Sequence, residues 1–304
     1  MGTSYISALS SAWHEKRKTL FFIMCYALYL ALNRLQLKYN YTAMNNKKHT
    51  AKLSACIISF NEEDKIEDCL KSLQAVVDEI IIIDSNSTDN TLEIAQKYTD
   101  KIYQHDFEGY GKQKNLAIEK ASHDWIISLD CDERLSPELQ TSLHNIKENL
   151  DSHCVYSMAR KTFYIYRWLN HCWYPDRNIR LFNKTKTRWL DYDVHESVDT
   201  SNMQTRVLSG DILHYSFDNI SDHLKVIDQY TQTGAEDLLR KNKKINVISP
   251  LAHASWTFLK LYIFKRGFLD GFAGLTVAVL SYMHVYIKYS KAIIMKQIRK
   301  NEHP

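Results

Sequence analysis

The chain has 304 residues, 45% of them hydrophobic and 24% charged, with a formal net charge of +4. Only eight Gly and four Pro exclude collagen-like, linker-rich and low-complexity architectures. The charge balance is too mild to mark a nucleic-acid binder, and the six Cys lack any CxxC or disulfide-framework spacing, which suits a reducing compartment.

Residues 20–32, LFFIMCYALYLAL, form an apolar run behind Lys16-Arg17-Lys18. The run is shorter than the roughly 20 residues a spanning helix needs. Two readings stand side by side. It is a membrane-lying anchor, or residues 1–43 are an upstream extension of a chain that starts naturally at Met44. Either way residues 1–52 read as an N-terminal extension.

From Leu53 the pattern is regular. Residues 53–60 read as a buried strand, followed by a helix with Ile66, Leu70 and Leu73 on one face. Residues 76–83 read as a second strand, 89–98 as a helix, 101–105 as a short strand, 111–121 as a helix and 124–129 as a fourth strand. Strands alternating with helices of this length indicate βαβ units and a mostly parallel sheet. Right-handed crossovers then place the strand C-termini on one edge, where open α/β sheets bind ligands. Three polar clusters fall there: Asn61-Glu62, Asp84, and the acids of SLDCDE (128–133).

Asp130 and Asp132 are one residue apart, so in an extended segment they share a face. Two carboxylates so placed can bind Mg²⁺ or Mn²⁺, with phosphate oxygens and waters completing the shell. The alternative is a solvated strand end. Neither a P-loop nor a G-x-G-x-x-G fingerprint is present. Phosphate would instead meet the metal, or the helix start near Gly109, Gly111, Lys112 and Lys114.

The segments ISFNEEDKIEDCLKSL, IIIIDSNSTDNT, GKQKNLAIEKA and ISLDCDE occur in this order. Together they resemble family 2 glycosyltransferases, inverting enzymes of the GT-A fold. Residues 163–198 continue with a stretch similar to the lipopolysaccharide-core branch, which includes β-glucosyltransferases acting on inner-core heptose. The resemblance implies a fold and a set of roles. Glu62, Asp84, Lys112, Asn115 and Asp130 would hold the nucleotide sugar. Asp132 and Asp130 would hold Mg²⁺ or Mn²⁺. Glu196, in the VHE motif, would take the acceptor proton; pairing with Arg177, Arg180 or Arg188 is its structural alternative. His214 reads as a third metal ligand or as a core histidine. UDP-glucose is the donor the branch suggests, and a glycan or lipid-linked glycan is the acceptor.

The aromatic-rich stretch 156–192 suits a sugar-binding surface as well as a core. Residues 219–242 read as an amphipathic helix. Residues 251–288 are strongly apolar with basic interruptions, and a lysine-rich tail follows. An interfacial helical pair is one reading and a soluble helical subdomain is the other. The expected architecture is therefore α/β: a GT-A sheet flanked by helices over 53–216, and a helical, membrane-associating appendage over 217–304. The protein would work at the cytoplasmic face of the inner membrane. Two rivals remain. A sugar-phosphate nucleotidyltransferase would carry a Gly-rich loop where Asn61-Glu62-Glu63 stands. A non-catalytic nucleotide-sugar-binding scaffold would bind donor without turnover.

Overall fold

Strand β1 (Leu53–Ser59) and strand β2 (Glu79–Asp84) are almost continuously apolar, and both lie in the middle of a sheet covered on two faces. Alternate residues go to opposite sides. Leu53, Ala55, Ile57, Ile80 and Ile82 pack with helix α1 (Ile66–Gln74), and Cys56, Ile81 and Ile83 pack with Ala117 and Ile118 on the other face. In a computed structural model, residues 50–190 and 197–302 are described. The chain divides into two units, Met1–Thr50 and Ala51–Pro304. The proposed N-terminal anchor lies outside the described residues.

The remaining elements follow in chain order: α2 (Thr91–Gln96), β3 (Ile102–Gln104), α3 (Tyr110–Lys120), β4 (Trp125–Asp130), β5 (Glu133–Leu135), α4 (Pro137–Ile146), β6 (Cys154–Tyr164), β7 (Arg167–Trp168), β8 (Asp176–Asn183), β9 (Trp189–Leu190), β10 (Ser197–Val198) and β11 (Gln204–Phe217). Ser136 caps α4, its hydroxyl accepting from the Leu139 N–H, with Pro137 in the first turn. The second strand starts three residues later than the sequence suggested. The amides of Val76 and Val77 still bond to the Leu73 carbonyl, so these residues finish the helix exit before the strand begins.

The sheet order is β3-β2-β1-β4-β8-β6-β11-β5, with β7 attached to β6 and a separate β9–β10 ladder. Strands β1 to β4 are mutually parallel where they pair. Strand β8 runs against both β4 and β6, and β11 runs parallel to β6. Strands β6 and β11 therefore point the same way as β1, β2 and β4. Their C-terminal residues, and the N-terminal half of β8, reach the same rim. This is the mixed GT-A sheet the sequence led us to expect.

Beyond β11 come α5 (Ile220–Arg240), α6 (Ser249–Leu259), a π-helical turn (Lys260–Phe264), a 3₁₀ turn (Gly267–Asp270) and the long α7 (Gly271–Glu302). Leu261, Ala273, Val277 and Ala278 pack against Tyr164, Leu169, Cys172 and Phe217 of the sheet and its loops. Asp270 fixes this junction. Its buried carboxylate accepts from the backbone N–H groups of Asn170, His171 and Cys172 at 2.9–3.0 Å, and its Oδ1 lies 3.0 Å from the His171 Nδ1. The five described cysteines are all buried and unbridged.

Candidate active site

The rim begins where β1 gives out. Asn61 adopts a left-handed conformation (φ 52°), and its side-chain carbonyl accepts from the Thr88 N–H. The Glu62 N–H donates to Thr91 Oγ1. These bonds tie the loop after β1 to the loop after β2, and the Glu62 side chain lines a cavity of about 780 Å³. Asp132, Asp130, His214, Arg160 and Ser85 share that cavity. Three exposed aromatic rings, Phe60, Phe107 and Tyr110, stand at its edge, the last two in edge-to-face contact at 5.0 Å.

The knot of acids in SLDCDE resolves into two different environments. Glu133 is fully buried; it takes the Asp130 N–H and lies 2.6 Å from Arg180 and 3.4 Å from Arg160. Asp130 sits between Lys114 at 3.0 Å and Arg180 at 2.9 Å. Burial works to raise the Asp130 pKa, but the charges of Arg180 and Lys114 outweigh it and hold the carboxyl far below the usual range. Asp132 is different. Its Oδ2 lies 3.1 Å from His214 Nε2. Strand pairing brings this about: β11 runs antiparallel to β5 with His214 opposite Glu133, and the Tyr215 N–H donates to the Asp132 carbonyl. Glu62 feels Asp132 as well. Burial first, and the Asp132 charge second, push its pKa up to about 7.

A divalent cation fits Asp132 and His214. One carboxylate and one imidazole, side by side on a cavity wall, leave most of a six-coordinate shell for phosphate oxygens and water. Among the described residues no cluster of three or more metal-ligating side chains exists.

The other sequence candidates occupy different surroundings. Asp84 is fully buried, and its carboxylate accepts from Ser59 Oγ, Ser87 Oγ and the Ser87 N–H. It braces the loop and does not line the cavity; its neighbour Ser85 does. Asn115 is used at both ends of its amide, donating to the Trp189 carbonyl and accepting from the Trp189 N–H. Lys112 is exposed beside Glu108 at 3.5 Å. Asn115 and Lys112 border a separate cavity of about 460 Å³. A third cavity of about 550 Å³ shares Asp130 and Arg160 with the main one and is bordered by Arg177, Trp189 and Ser197. Glu196, together with residues 191–195, lies outside the described residues. Sequence reasoning missed Phe60, Phe107 and Tyr110 as rim residues and left Arg160 unremarked. The only signal for the rings was their position directly beside turn residues at strand and helix ends.

The chain has recognisable relatives among known proteins. An uncharacterised glycosyltransferase of Rickettsia typhi is 29% identical over 257 residues, covering 79% of this chain and 86% of its own length. The lipopolysaccharide core biosynthesis glycosyltransferase LpsC of Rhizobium meliloti is 27% identical over 252 residues, covering 78% of this chain and 93% of its own. A mannosyltransferase of Pyrobaculum calidifontis, solved with GDP-mannose and Mn²⁺, is 12% identical with a TM-score of 0.49, covering 81% of this chain and 88% of that one. The sequence profile described as glycosyl transferase family 2 matches residues 54–213, more than half of the chain, and the protein belongs to that family.

Proposed function

We propose that this glycosyltransferase moves a hexose, with inversion, from a nucleoside diphosphate sugar to a hydroxyl of a lipid-linked glycan of the lipopolysaccharide-core type. UDP-glucose is the donor that the branch resemblance favours. The carrying observation is the contrast within SLDCDE. Asp130 and Glu133 are matched by Lys and Arg, whereas Asp132 pairs, among the described residues, with His214, on the wall of a donor-sized cavity.

In this reading Asp132 and His214 hold Mg²⁺ or Mn²⁺, and a bound cation supplies positive charge to the leaving diphosphate. Phe60, Phe107 and Tyr110 offer rings to the nucleobase, and Glu62 and Ser85 face the nucleoside. Lys114 and Arg180, fixed by Asp130, place N–H donors beside the transferred sugar. Asp84 and Asn115 serve the site by bracing the loops that form it. Glu196 removes the acceptor proton as the new C1–O bond forms and the C1–O bond to the diphosphate breaks. Trp189 and Ser197, on either side of the segment carrying Glu196, line the cavity next to Asp130, which supports that role.

The same reading places the enzyme at the cytoplasmic face of the inner membrane. Trp256, Phe264, Phe268 and Phe272 are each 47–71% exposed, and Lys260, Lys265 and Arg266 lie among them. An apolar surface studded with cations suits an anionic bilayer surface. Among the described residues, Gly267–Asn301 is the one helix long and apolar enough to cross a membrane. Its packing against α5 and α6 favours lying on the surface instead. The deciding experiment is titration of the protein with UDP-glucose, with and without Mn²⁺, beside Asp132→Ala. Metal-dependent binding lost in the variant supports the reading. Binding indifferent to metal and to Asp132 overturns it.

A further inference from the structure

Beside the donor cavity lies another of about 430 Å³, which no role above employs. The two share Arg160, His214, Ser216 and Phe217 as walls. Its own walls include Thr162, Trp173 and Lys265. A hydroxyl seated here would lie against the end of the donor cavity that holds Asp132 and His214.

The charges in this cavity are unevenly matched. Asp176 is neutralised by Arg160 at 2.8 Å and also accepts from Asn178. Arg160 in turn contacts Glu133. Lys265 is only partly exposed, and no acid lies within ion-pair distance of it among the described residues. A partly covered lysine on a cavity wall, with no acid partner among the described residues, offers its ammonium to an incoming anion. Trp173 presents an aromatic body to the same space, a suitable platform for the apolar C–H face of a sugar. Lys265 is also flanked in sequence by Phe264, 66% exposed, and by exposed Arg266. The cavity therefore adjoins the apolar, basic surface of the C-terminal helices. Position is held firmly here. A Cβ on Gly267 would come within 2.7 Å of the Leu261 carbonyl and 3.0 Å of the Cys172 side chain, so the turn after Lys265 sits tightly against the loop carrying Trp173.

Taking glycosyl transfer as the reaction, the geometry points to this cavity as the acceptor subsite, and to an acceptor glycolipid whose sugar carries a phosphate ester paired with Lys265. The sugar lies on Trp173, its reacting hydroxyl turns toward Arg160, which also lines the donor cavity and the cavity beside Asp130, and its lipid leaves past Phe264.

Two synthetic probes test this on the full chain in mild detergent: decyl glucoside 6-phosphate and unphosphorylated decyl glucoside. Binding is followed by tryptophan fluorescence, and UDP-glucose binding with Mn²⁺ is measured on the same samples. The phosphorylated probe is expected to bind about tenfold more tightly, a typical return for one charge-assisted contact. Lys265→Ala should erase that preference, and Lys265→Arg should retain it. Inorganic phosphate should compete far more weakly than the phosphorylated probe, which separates a glycolipid ester from free phosphate. Equal binding of the two probes overturns the assignment. So does a Lys265→Ala protein that keeps the phosphate preference while losing only adsorption to phosphatidylglycerol vesicles, since Lys265 would then serve the bilayer. If UDP-glucose fails to bind every protein, the donor assignment of the proposed function falls, whatever the probes show. If the donor binds normally and only the phosphate preference is missing, the acceptor assignment falls alone.

Discussion

Arg180 lies 2.6 Å from Glu133, and both side chains are almost entirely buried. The same guanidinium reaches Asp130 at 2.9 Å, so one strand supplies the charge that lets two acids of another segment sit side by side. Removing one partner of such a group leaves a buried charge uncompensated, at a cost of about 3–5 kcal/mol. Arg180→Met should therefore lower the unfolding free energy by about that amount. Urea denaturation measures it. A loss below about 1 kcal/mol would mean that water reaches the acids and replaces the guanidinium.

Asp130 and Asp132 should separate cleanly. Asp132→Ala should abolish Mn²⁺-dependent UDP-glucose binding, because it removes the carboxylate beside His214. Asp130→Asn should mainly destabilise the fold, with metal dependence retained. His214→Ala should weaken Mn²⁺ affinity by at least about tenfold, since losing even a residue that only orients a metal ligand costs about that much. Calorimetric titration of the three variants distinguishes them. Equal effects from Asp130 and Asp132 would merge the two environments.

Glu62 gives a pH dependence with a definite sign. Its pKa stands near 7, so it is largely protonated below that pH. A cation bound beside it favours the ionised form, so binding releases a proton. Mn²⁺ affinity should thus rise between pH 6 and 8, by up to about tenfold per unit on the acid side, and level off above. Glu62→Gln should have a shallower profile by one proton. The raised pKa also means that Glu62 opposes folding increasingly as pH climbs from its ordinary value through 7. Glu62→Gln should therefore gain stability relative to wild type at pH 8 and not at pH 4.

Phe107 and Tyr110 form the exposed ring pair at the cavity edge. If the nucleobase stacks there, replacing either by Ala should cost about 1–3 kcal/mol of UDP affinity, the usual value of one base–aromatic stack. The affinity for Mn²⁺ alone should not change. Competition between UDP and uridine on each variant reads this out.

Phe264 and Phe272 are 66% and 71% exposed. Substituting both with Asp should abolish sedimentation with phosphatidylglycerol vesicles and leave UDP binding in detergent intact. Binding of the wild-type protein should weaken with salt as the Lys260, Lys265 and Arg266 contribution is screened. Vesicle binding that persists in the double variant would assign the attachment to another surface.

The alternating pattern from Leu53 to Asp130 announced the parallel half of the sheet, and the topology rules then gathered Glu62, Asp130 and Asp132 on one rim. Chain pattern could not say which acid of SLDCDE keeps its charge available. That depends on Arg180 and Lys114, which are 50 and 16 residues away from Asp130 and arrive through β8 and α3. Asp84 and Asn115 sit where the family motif placed them, yet their side chains are turned to Ser87 and Trp189. Spacing alone does not reveal such orientations. Phe107 and Tyr110 belong to a loop and a helix start, and no periodicity marks them.

Asp270 gives the C-terminal helices a standing that a detachable tether does not have. Its carboxylate is the acceptor for three consecutive amides of the loop that carries Trp173. A chain cut after α5 would leave those amides orphaned, each at a cost of about 1–3 kcal/mol if they remain out of water. The catalytic sheet cannot be borrowed as a separate module by trimming the C-terminal helices. Exchanging those helices between relatives would also exchange Lys265, one wall of the cavity beside His214.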